Sequence, residues 1–374
     1  MRPHNRTLMT IVLSLVLTPA ALASTWYVNG VSGSDNNNCK LPTTACKSIG
    51  HAISLAASGD SISVAAATYT ENLNIGISLN ILGSGAKTTF INGGQHSMVV
   101  KTSSTNANVA LSGVTITNGD AIGLGGGGGI HNIGTLTMNQ STVSGNVAGI
   151  GGGIFNSGTL IINNSTISGN KATRTCSAGF HGICGVAGGG IYDSGTLIIN
   201  NSTISGNSAV ETCSQLCVVE GAGIFSFQLK LNSTTVSGNS HSCSKSCLLA
   251  GGGINLVNGT FQNSIVADNS GSNCYSTNKI VSDGYNLSSD STCHFNGPGD
   301  MNNINPNLGP LQNNGGPTQT QALLPGSPAI DAGNPSGCTD NKGKLLKTDQ
   351  RGMPRPDKED TGGCDIGAYE RQGD

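Results

Sequence analysis

The chain has 374 residues, a formal net charge of −2, only 10% charged residues and 56 glycines. This weak negative charge argues against nucleic acids and anionic membrane surfaces as partners, because both attract basic proteins. A chain so rich in Gly and so poor in charge could be disordered, but regularly spaced β-branched residues predict an ordered β-structure instead.

The first 23 residues have the pattern of a secretory signal peptide. Arg2 and Arg6 precede a short apolar stretch, and Ala21-Leu22-Ala23 matches a cleavage site before Ser24. That stretch is about half of the ~20 residues that a membrane-spanning helix needs, and no later segment is long enough. We therefore expect an exported bacterial protein with no transmembrane segment, located extracellularly, on the outer-membrane surface or in the periplasm.

An amphipathic helix is predicted next along the chain. The segment KSIGHAISLAASG places Ile49, Ala52, Ile53 and Ala56 on one helical face, and Gly59 is a natural end. Such a helix can cover the open end of a repetitive β-structure, which needs a cap.

A Gly-rich unit recurs through the middle of the chain and predicts the architecture. The copy ending at Asn170 is GGGIFNSGTLIINNSTISGN, and related copies end at Asn146, Asn207, Asn239 and Asn269. Three apolar columns at fixed offsets indicate three short strands per turn. The columns are Ile130, Ile154, Ile191, Ile224 and Ile254; Met138, Ile162, Ile199, Leu231 and Phe261; and Val143, Ile167, Ile204, Val236 and Val266.

These columns predict an all-β protein built as a right-handed parallel β-helix solenoid. We assign residues 24–310 to the β-helix and residues 311–374 to a small C-terminal module. The final Asn of each copy is expected to stack on the next at about 4.8 Å, with its side-chain amide bonding to the neighbouring one. The glycine runs supply corners where backbones approach closely.

Three segments resemble known families. TWYVNG, GDSISVAAATYTENL and LNILGSG resemble the start of pectin-lyase-like β-helix proteins, and the GGGI…GTL…STISGN units resemble polymorphic outer-membrane-protein-like repeats. The run NPNLGPLQNNGGPTQTQALLPGSPAIDAG…TDQRGMPRP…CDIGAYE resembles the module called choice-of-anchor Q, which usually precedes surface-sorting signals. We expect no sorting signal after Tyr369-Glu370. The resemblances imply an exported β-helix protein.

The 12 cysteines predict disulfide bonds, because an even number in an exported chain favours pairing. Three of six local pairs lie in insertions at the same point of successive coils. The six pairs are Cys39/Cys46, Cys176/Cys184, Cys213/Cys217, Cys243/Cys247, Cys274/Cys293 and Cys338/Cys364. The alternative is a metal–thiolate cluster formed by Cys213, Cys217, Cys243 and Cys247 with His241.

Two outward columns are candidates for binding. His131, Phe155, Tyr192 and Phe225 would stack as an aromatic ladder, either as a purely structural feature or as a sugar platform. Threonines and serines form a T-x-S face, which polar β-formers on a solvent-exposed surface explain more simply than an array that orders water or ice. They are Thr142, Thr166, Thr203 and Thr235 with Ser144, Ser168, Ser205 and Ser237.

The three Cys-containing insertions are predicted to be variable loops, where recognition usually resides. Their candidate contact residues are His181, Glu211, Glu220, His241 and Lys245. Glu211 and Glu220 are the best carboxylate pair on the coils for acid–base work, although solvated loop charges are the simpler interpretation.

A second group of charges lies near the end of the chain. It comprises Asp331, Asp349, Arg351, Asp365 and Glu370. Charge-paired structural turns are the simpler interpretation of this group, and a Ca²⁺ site is the alternative.

Charge is too sparse on the coils to favour catalysis. No Asp, Glu, Lys or Arg lies between Ala121 and Asn170, whereas carbohydrate enzymes on this fold need acids and bases. We therefore predict no catalytic residue, no cofactor and no metal. The favoured function is a binding or adhesion protein for a glycan or a surface protein. A polysaccharide lyase or glycoside hydrolase and a structural envelope protein are the alternatives.

Overall fold

The protein is a solenoid of stacked three-sided coils. The computed structural model describes residues 23–176, 184–213, 217–244, 247–358 and 363–373. Within these ranges nearly all regular structure is β-strand, accompanied by one α-helix, Ile49–Leu55, and one 3-10 helix, Pro42–Thr44. Strands that follow one another on a face are hydrogen-bonded in parallel, which confirms the predicted all-β parallel β-helix.

Each face of the solenoid collects one strand from every coil. Face A comprises Leu73–Ile75, Val100–Thr102, Ile130–Asn132, Ile154–Asn156, Ile191–Asp193 and Cys274–Ser276. Face B comprises Thr25–Val28, Ser61–Val64, Leu79–Gly83, Asn108–Ser112, Thr135–Asn139, Thr159–Asn163, Thr196–Asn200 and Val281–Ser282. Two long strands, Ile224–Asn232 and Ile254–Gln262, run through both faces and join them into one 16-stranded sheet.

The third side of the solenoid, face C, is a separate parallel sheet. Its strands are Ala67–Thr70, Thr89–Asn92, Thr115–Thr117, Thr142–Ser144, Thr166–Ser168, Thr203–Ser205, Thr235–Ser237, Ile265–Ala267, Leu287–Ser288 and Met301–Asn302. An antiparallel pair, Leu308–Gln312 with Thr320–Leu323, follows it along the chain.

The three predicted apolar columns form the core. Ile154 pairs with Ile191 on face A, Ile162 with Ile199 on face B and Ile167 with Ile204 on face C. All of these side chains are fully buried. Alternate residues point outward, so each strand buries one row of β-branched residues against the coils above and below.

The predicted asparagine ladder is confirmed. Asn146 Nδ2 donates to Asn170 Oδ1 at 3.0 Å, and the same bond links Asn170 to Asn207 and Asn207 to Asn239. The ladder continues to Asn269, and its members from Asn146 to Asn239 are buried. Each amide is therefore satisfied inside the solenoid by its own copy in the next coil.

A second buried polar ladder runs along the corner after face A, and we did not predict it. Asn132 Nδ2 donates to Asn156 Oδ1, and Asn156 Nδ2 donates to Asp193 Oδ1, both at 2.6 Å. Ser226 Oγ then donates to the other carboxylate oxygen of Asp193 at 2.7 Å. Burial raises the pKa of Asp193, against the opposing effect of the hydrogen bonds that it accepts from Ser226 and Asn156.

Glycine is required where neighbouring coils touch at the corner before face A. A Cβ on Gly189 would lie 2.4 Å from the carbonyl oxygens of both Ser208 and Ala222. The equivalent Gly152 is equally confined, because a Cβ added there would lie 2.3 Å from the carbonyl carbon of Lys171. Any side chain at these positions would force the coils apart.

The N-terminal helix caps the first coil as predicted. It packs against the strands Thr25–Val28, Ser61–Val64 and Leu73–Ile75. Ile49 and Ala52 are fully buried, and Ile53 and Ala56 pack against the core at its edge. The side chain of Ser48 accepts a hydrogen bond from the amide of His51, which fixes where the helix begins.

The chain after residue 307, called here the C-terminal segment, folds back over face C. Thr166 Oγ1 donates to the carbonyl of Gln319, Thr203 Oγ1 donates to the side-chain oxygen of Gln350, and Thr235 Oγ1 accepts from the amide of Ala368. At the far end, Lys87 Nζ donates to Asn313 Oδ1 at 2.7 Å.

This cover corrects the interpretation of the T-x-S face as solvent-exposed. Its members in three coils are buried, and the C-terminal segment hydrogen-bonds to the side chains of Thr166, Thr203, Thr235 and Ser237. They are Thr166, Thr203, Thr235, Ser168, Ser205 and Ser237. Thr142 and Ser144, one coil earlier, are half-buried.

Replacing Ile167 by Asp should unfold the solenoid far more readily than the same change at Ile161. Ile167 is enclosed between coils, so the variant buries a carboxylate without a partner, and we expect a loss of about 4 kcal/mol or more in the free energy of unfolding. Ile161 lies half-buried on the outward side of face B, where we expect a loss below about 1 kcal/mol. Urea denaturation measures both, and equal losses would contradict the assignment of the inward column.

Candidate functional site

The three Cys-containing insertions form a two-layered projection, called here the fin. One layer comprises Asp120–Ala121, Val147–Ala148, Lys171–Cys176, Ser208–Cys213 and Ser240–Cys243. The other comprises Cys184–Ala187, Cys217–Glu220 and Cys247–Ala250. The prediction of variable loops is wrong for these residues, because the strands of successive insertions pair in parallel and enclose an apolar cluster of their own.

That cluster explains why the insertions stack. Ala172 and Ala209 from the first layer meet Val186 and Val219 from the second, and all four are buried. The cysteine positions are also in register from coil to coil, since Cys217 pairs with Cys247. The fin therefore extends the solenoid sideways as a rigid ridge.

Disulfide bonds close the loops at the positions predicted. Four of the six predicted pairs are bonded, with Cα separations of 5.0, 6.5, 4.8 and 6.0 Å for Cys39–Cys46, Cys243–Cys247, Cys274–Cys293 and Cys338–Cys364. Cys176 and Cys217 are disulfide-bonded too. The side chains of their predicted partners, Cys184 and Cys213, lie outside the described residues.

These bonds argue against the metal–thiolate alternative. Cys217, Cys243 and Cys247 are all oxidised and have no thiolate to offer a metal. His241 continues an inward column whose earlier members include Ala172 and Ala209.

The predicted contact residues of the insertions are not all at the surface. The His241 side chain is only 9% exposed and lies 3.2 Å from Ser270 Oγ. Glu211 is 1% exposed, which contradicts its interpretation as a solvated loop charge. Burial raises the pKa of Glu211, and Arg174 acts in the opposite direction. His181 and Lys245 lie outside the described residues.

The aromatic ladder forms as predicted on the outer side of face A. His131, Phe155, Tyr192 and Phe225 occupy consecutive coils in register. Ring centroids are 4.8, 5.3 and 4.9 Å apart, and successive rings are within 16° of parallel. Phe227, which is 43% exposed, packs edge-on against Phe225 at 5.7 Å.

Stacking limits what the aromatic ladder can bind. A sugar ring binds an aromatic side chain through the face of the ring. In the ladder those faces cover one another, so Phe155 and Tyr192 present edges to solvent. The geometry thus favours the structural interpretation of the ladder.

A groove of about 510 Å³, called here the ladder groove, lies along the first layer of the fin, beside the aromatic ladder. Its lining includes Ile122, Gly126, Ile150, Thr173 and Arg174. Gly126 links the groove to the ladder, because His131 Nδ1 donates to its carbonyl oxygen at 3.1 Å. A Cβ added to Gly126 would also lie only 3.0 Å from the ring of Phe155.

Glu220 lies close enough to Tyr192 of the aromatic ladder for its charge to act on the phenol. Its carboxylate accepts a hydrogen bond from Asn255 Nδ2 at 3.2 Å, and burial raises the pKa of Glu220. The pKa of the Tyr192 phenol is raised too, first by burial and then by the charges of Glu220 and Asp193. Of the coil carboxylates considered as catalytic candidates, Glu220 is the one that is half-exposed, whereas Glu211 is enclosed.

The C-terminal charges form buried ion pairs of the kind expected for charge-paired turns. Arg351 Nε lies 2.7 Å from Asp349 Oδ2, and Arg355 Nε lies 2.6 Å from Glu370 Oε2. The carboxylate of Asp365 accepts from the amides of Asp331 and Arg371. These bonds tie together turns that are far apart in the sequence.

No protein-family model matches the chain, and no curated protein matches it. Within the described residues, no helix is both long and apolar enough to cross a membrane. The assignment of the fold therefore depends on the strand register and the burial pattern.

All 12 cysteines should be oxidised in the purified protein. Peptide mapping without reduction should recover the six local pairs, including Cys176–Cys184 and Cys213–Cys217, and a thiol-specific label should react with none of them. The same mapping after reduction is the control. Labelling at Cys217 or Cys243 in the unreduced protein, or metal that survives dialysis, would contradict the assignment.

The stability of the protein should fall as the pH rises through neutrality because of Glu370. Burial raises the pKa of Glu370 to about 8, against the favourable charge of Arg355. Because the pKa of Glu370 is higher in the folded state than in the unfolded state, its contribution to the free energy of unfolding is complete below the unfolded-state pKa, near 4.5. That contribution is lost as the pH rises through the folded-state pKa. Glu370→Gln should therefore flatten the decline in the free energy of unfolding between about pH 5 and pH 9.

Exposed Asp268→Asn is the matched control for that titration. Denaturant melts at several pH values measure all three proteins. Parallel curves for the parent and Glu370→Gln would contradict the role of Glu370, whatever the absolute stability of the variant.

Proposed function

We propose that this protein is an exported bacterial β-helix that binds a glycan on its fin side, as an adhesion-type protein rather than an enzyme. The observation that carries the proposal is the ladder groove, an open channel next to a rigid disulfide-closed ridge. Recognition surfaces are commonly presented in this way by a rigid scaffold.

The chemistry of the ladder groove suits a sugar chain. Ile122 lines the groove and is 54% exposed, and apolar side chains of this kind pack against the CH faces of sugar rings. Arg174, Thr173 and Thr175 add hydrogen-bonding groups on the fin side. A mostly apolar surface with a few placed polar groups is typical of small-molecule binding sites.

Export is supported by the disulfide bonds, which persist in oxidising compartments. The signal-peptide pattern of residues 1–23 agrees with it. The resemblance to pectin-lyase-like proteins, to polymorphic outer-membrane-protein-like repeats and to choice-of-anchor Q modules supports a bacterial surface or extracellular location.

Catalysis is less well supported. A lyase or hydrolase needs carboxylates or other acid–base groups that reach the polymer. Asp193 and Glu211 are 0% and 1% exposed, and Asp193 is engaged in the corner polar ladder. Glycan binding without turnover is the function that this arrangement favours.

Binding should depend on the ladder groove. Ile122→Asp places a charge on its apolar rim, and Arg174→Ala removes its cation, so each should weaken binding of the best ligand from a glycan array by about tenfold or more, equivalent to about 1.4 kcal/mol. Ile304→Asp and Lys342→Ala are matched controls, since they make the same kinds of change at exposed positions after the last face C strand and in the C-terminal segment.

Calorimetric titration at matched melting temperature measures the affinities. Unchanged affinity in both groove variants would place the ligand elsewhere. Release of reducing or unsaturated sugar by the parent protein would overturn the non-enzymatic assignment and support the lyase or hydrolase alternative.

A further inference from the structure

Asp60 is a buried carboxylate at the capped end of the solenoid, only 5% exposed. Its Oδ2 accepts hydrogen bonds from the indole nitrogen of Trp26 at 2.8 Å and from the amide of Ala57 at 2.9 Å. Its Oδ1 accepts a hydrogen bond from the backbone nitrogen of Ser24 at 2.7 Å. The first strand of face B, the segment after the capping helix and the residue that precedes the strand therefore meet at one carboxylate group.

Ser24 is held in place by the backbone as well as by Asp60. Its carbonyl oxygen accepts a hydrogen bond from the amide of Ser61 at 2.9 Å, which fixes Ser24 where the first strand of face B begins to pair. The preceding residue, Ala23, is exposed. A chain that begins at Ser24 would consequently present its terminal nitrogen to Asp60 without any rearrangement of the fold.

Removal of the signal peptide would change the charge of that nitrogen. The motif Ala21-Leu22-Ala23 predicts cleavage of the peptide bond before Ser24. Hydrolysis adds water across this bond, so that a carboxylate leaves on Ala23 and an amine stays on Ser24. The ordinary pKa of an α-amino group is about 7.7–8.0, so the new terminus is mainly an ammonium at neutral pH. A neutral amide donor thereby becomes a cation.

We propose that Asp60 is the binding site for the terminal ammonium of Ser24, and that this ion pair stabilises the capped end only after the signal peptide has been removed. The pairing rests on the export proposed above, but it goes beyond glycan binding. Burial of Asp60 strengthens the attraction because it reduces screening by solvent. Ser24 is only half-buried, so its ammonium keeps part of its hydration, which limits the cost of desolvation.

The surroundings of Asp60 favour its ionised form. Burial acts to raise the pKa of Asp60, but the hydrogen bonds from Trp26, Ala57 and Ser24, together with the charge of Lys40, lower it overall. Lys40 Nζ lies over the Trp26 ring, 3.2 Å from its centroid. At neutral pH the carboxylate is therefore charged and available to a terminal ammonium.

The other titratable groups of the capped end are arranged differently. Asp35 and Glu71 accept hydrogen bonds from backbone amides at the beginning of the capping helix, whereas Asp60 follows its end. His51 lies in the first turn of that helix, and its charge acts on Asp35. Tyr27 alternates with the buried residues of its strand. None of these groups changes when the terminus is altered, so a difference between termini reports the pair itself.

Pairing with Asp60 should raise the pKa of the Ser24 amine above its value in the unfolded chain. Its contribution to stability is then complete below the unfolded value and is lost as the pH rises through the folded value. The lowered pKa of Asp60 acts at the acidic end, where its contribution is lost as the pH falls. The advantage of a free Ser24 terminus should therefore be present at neutral pH and disappear in alkaline solution.

The test compares mature chains that differ only at the terminus, each released from a removable fusion partner. One begins at Ser24. A second carries Ala23→Gln cyclised to pyroglutamate, which keeps the Ser24 N–H donor and has no terminal charge. The chain that begins at Ser24 should melt about 2 °C or more above the pyroglutamate chain at neutral pH, and the gap should close in alkaline solution. Equal melting temperatures at neutral pH, or a gap that persists in alkali, would overturn the proposal.

Removing the charge of Asp60 should abolish the difference between the two termini. Asp60→Asn makes this change with little change in size, and Asp268→Asn makes it at an exposed position, where the difference should persist. An undiminished difference in Asp60→Asn would assign it to another group and overturn the site.

The pKa of the Ser24 amine provides a measurement that does not depend on whether Asp60→Asn folds. The pH dependence of its reaction with an amine-selective reagent, in the folded parent chain, should give a pKa at least about one unit above the ordinary 7.7–8.0. An ordinary value would overturn the ion pair.

Export is tested separately from the ion pair. Sequencing the amino terminus of the protein recovered from outside the cytoplasm should identify Ser24 as the first residue. A different first residue would overturn the role of cleavage in forming the pair, whereas an ordinary amine pKa in a chain that begins at Ser24 would overturn the pair and leave export unaffected.

Discussion

A buried amide that hydrogen-bonds to its own copy in the next coil requires those coils to keep one register. Asn170 bonds simultaneously to Asn146 and Asn207, so a slip by one residue would leave all three amides unsatisfied inside the solenoid. The apolar columns share this requirement, because a one-residue shift turns every inward residue outward. The close contacts at the glycine corners, such as that of Gly189 with Ala222, exist only in this register. The fixed register of the coils thus positions the aromatic ladder, the fin and the ladder groove.

The coils could be predicted from sequence because their signals are local and repeated. The spacing of Ile154, Ile162 and Ile167 specifies three strands, and the repeated Asn specifies the ladder. The corner polar ladder was missed because Asn156 and Asp193 differ in type, although both stand two residues after an inward Ile. Columns of small polar residues at such fixed offsets are the signal that could have revealed it.

Features that depend on long-range packing could not be predicted in this way. Thr203 and Thr235 have the alternating pattern of solvent-facing residues, and only the return of the C-terminal segment buries them. Glu211 looks like a loop charge because its burial depends on the pairing of separate insertions into the fin.

The return of the C-terminal segment changes how the solenoid should come apart. Repeat proteins in which each unit touches only its neighbours can lose terminal units one at a time, as in a one-dimensional chain of coupled elements. Here the C-terminal segment acts as a strap, because it bonds to the coil of Lys87, to the coil of Asn263 and to several coils between them. Fraying at one end must also release this strap from the middle of the molecule. Such a strap converts a modular array into one cooperative unit, which favours resistance to stepwise proteolysis.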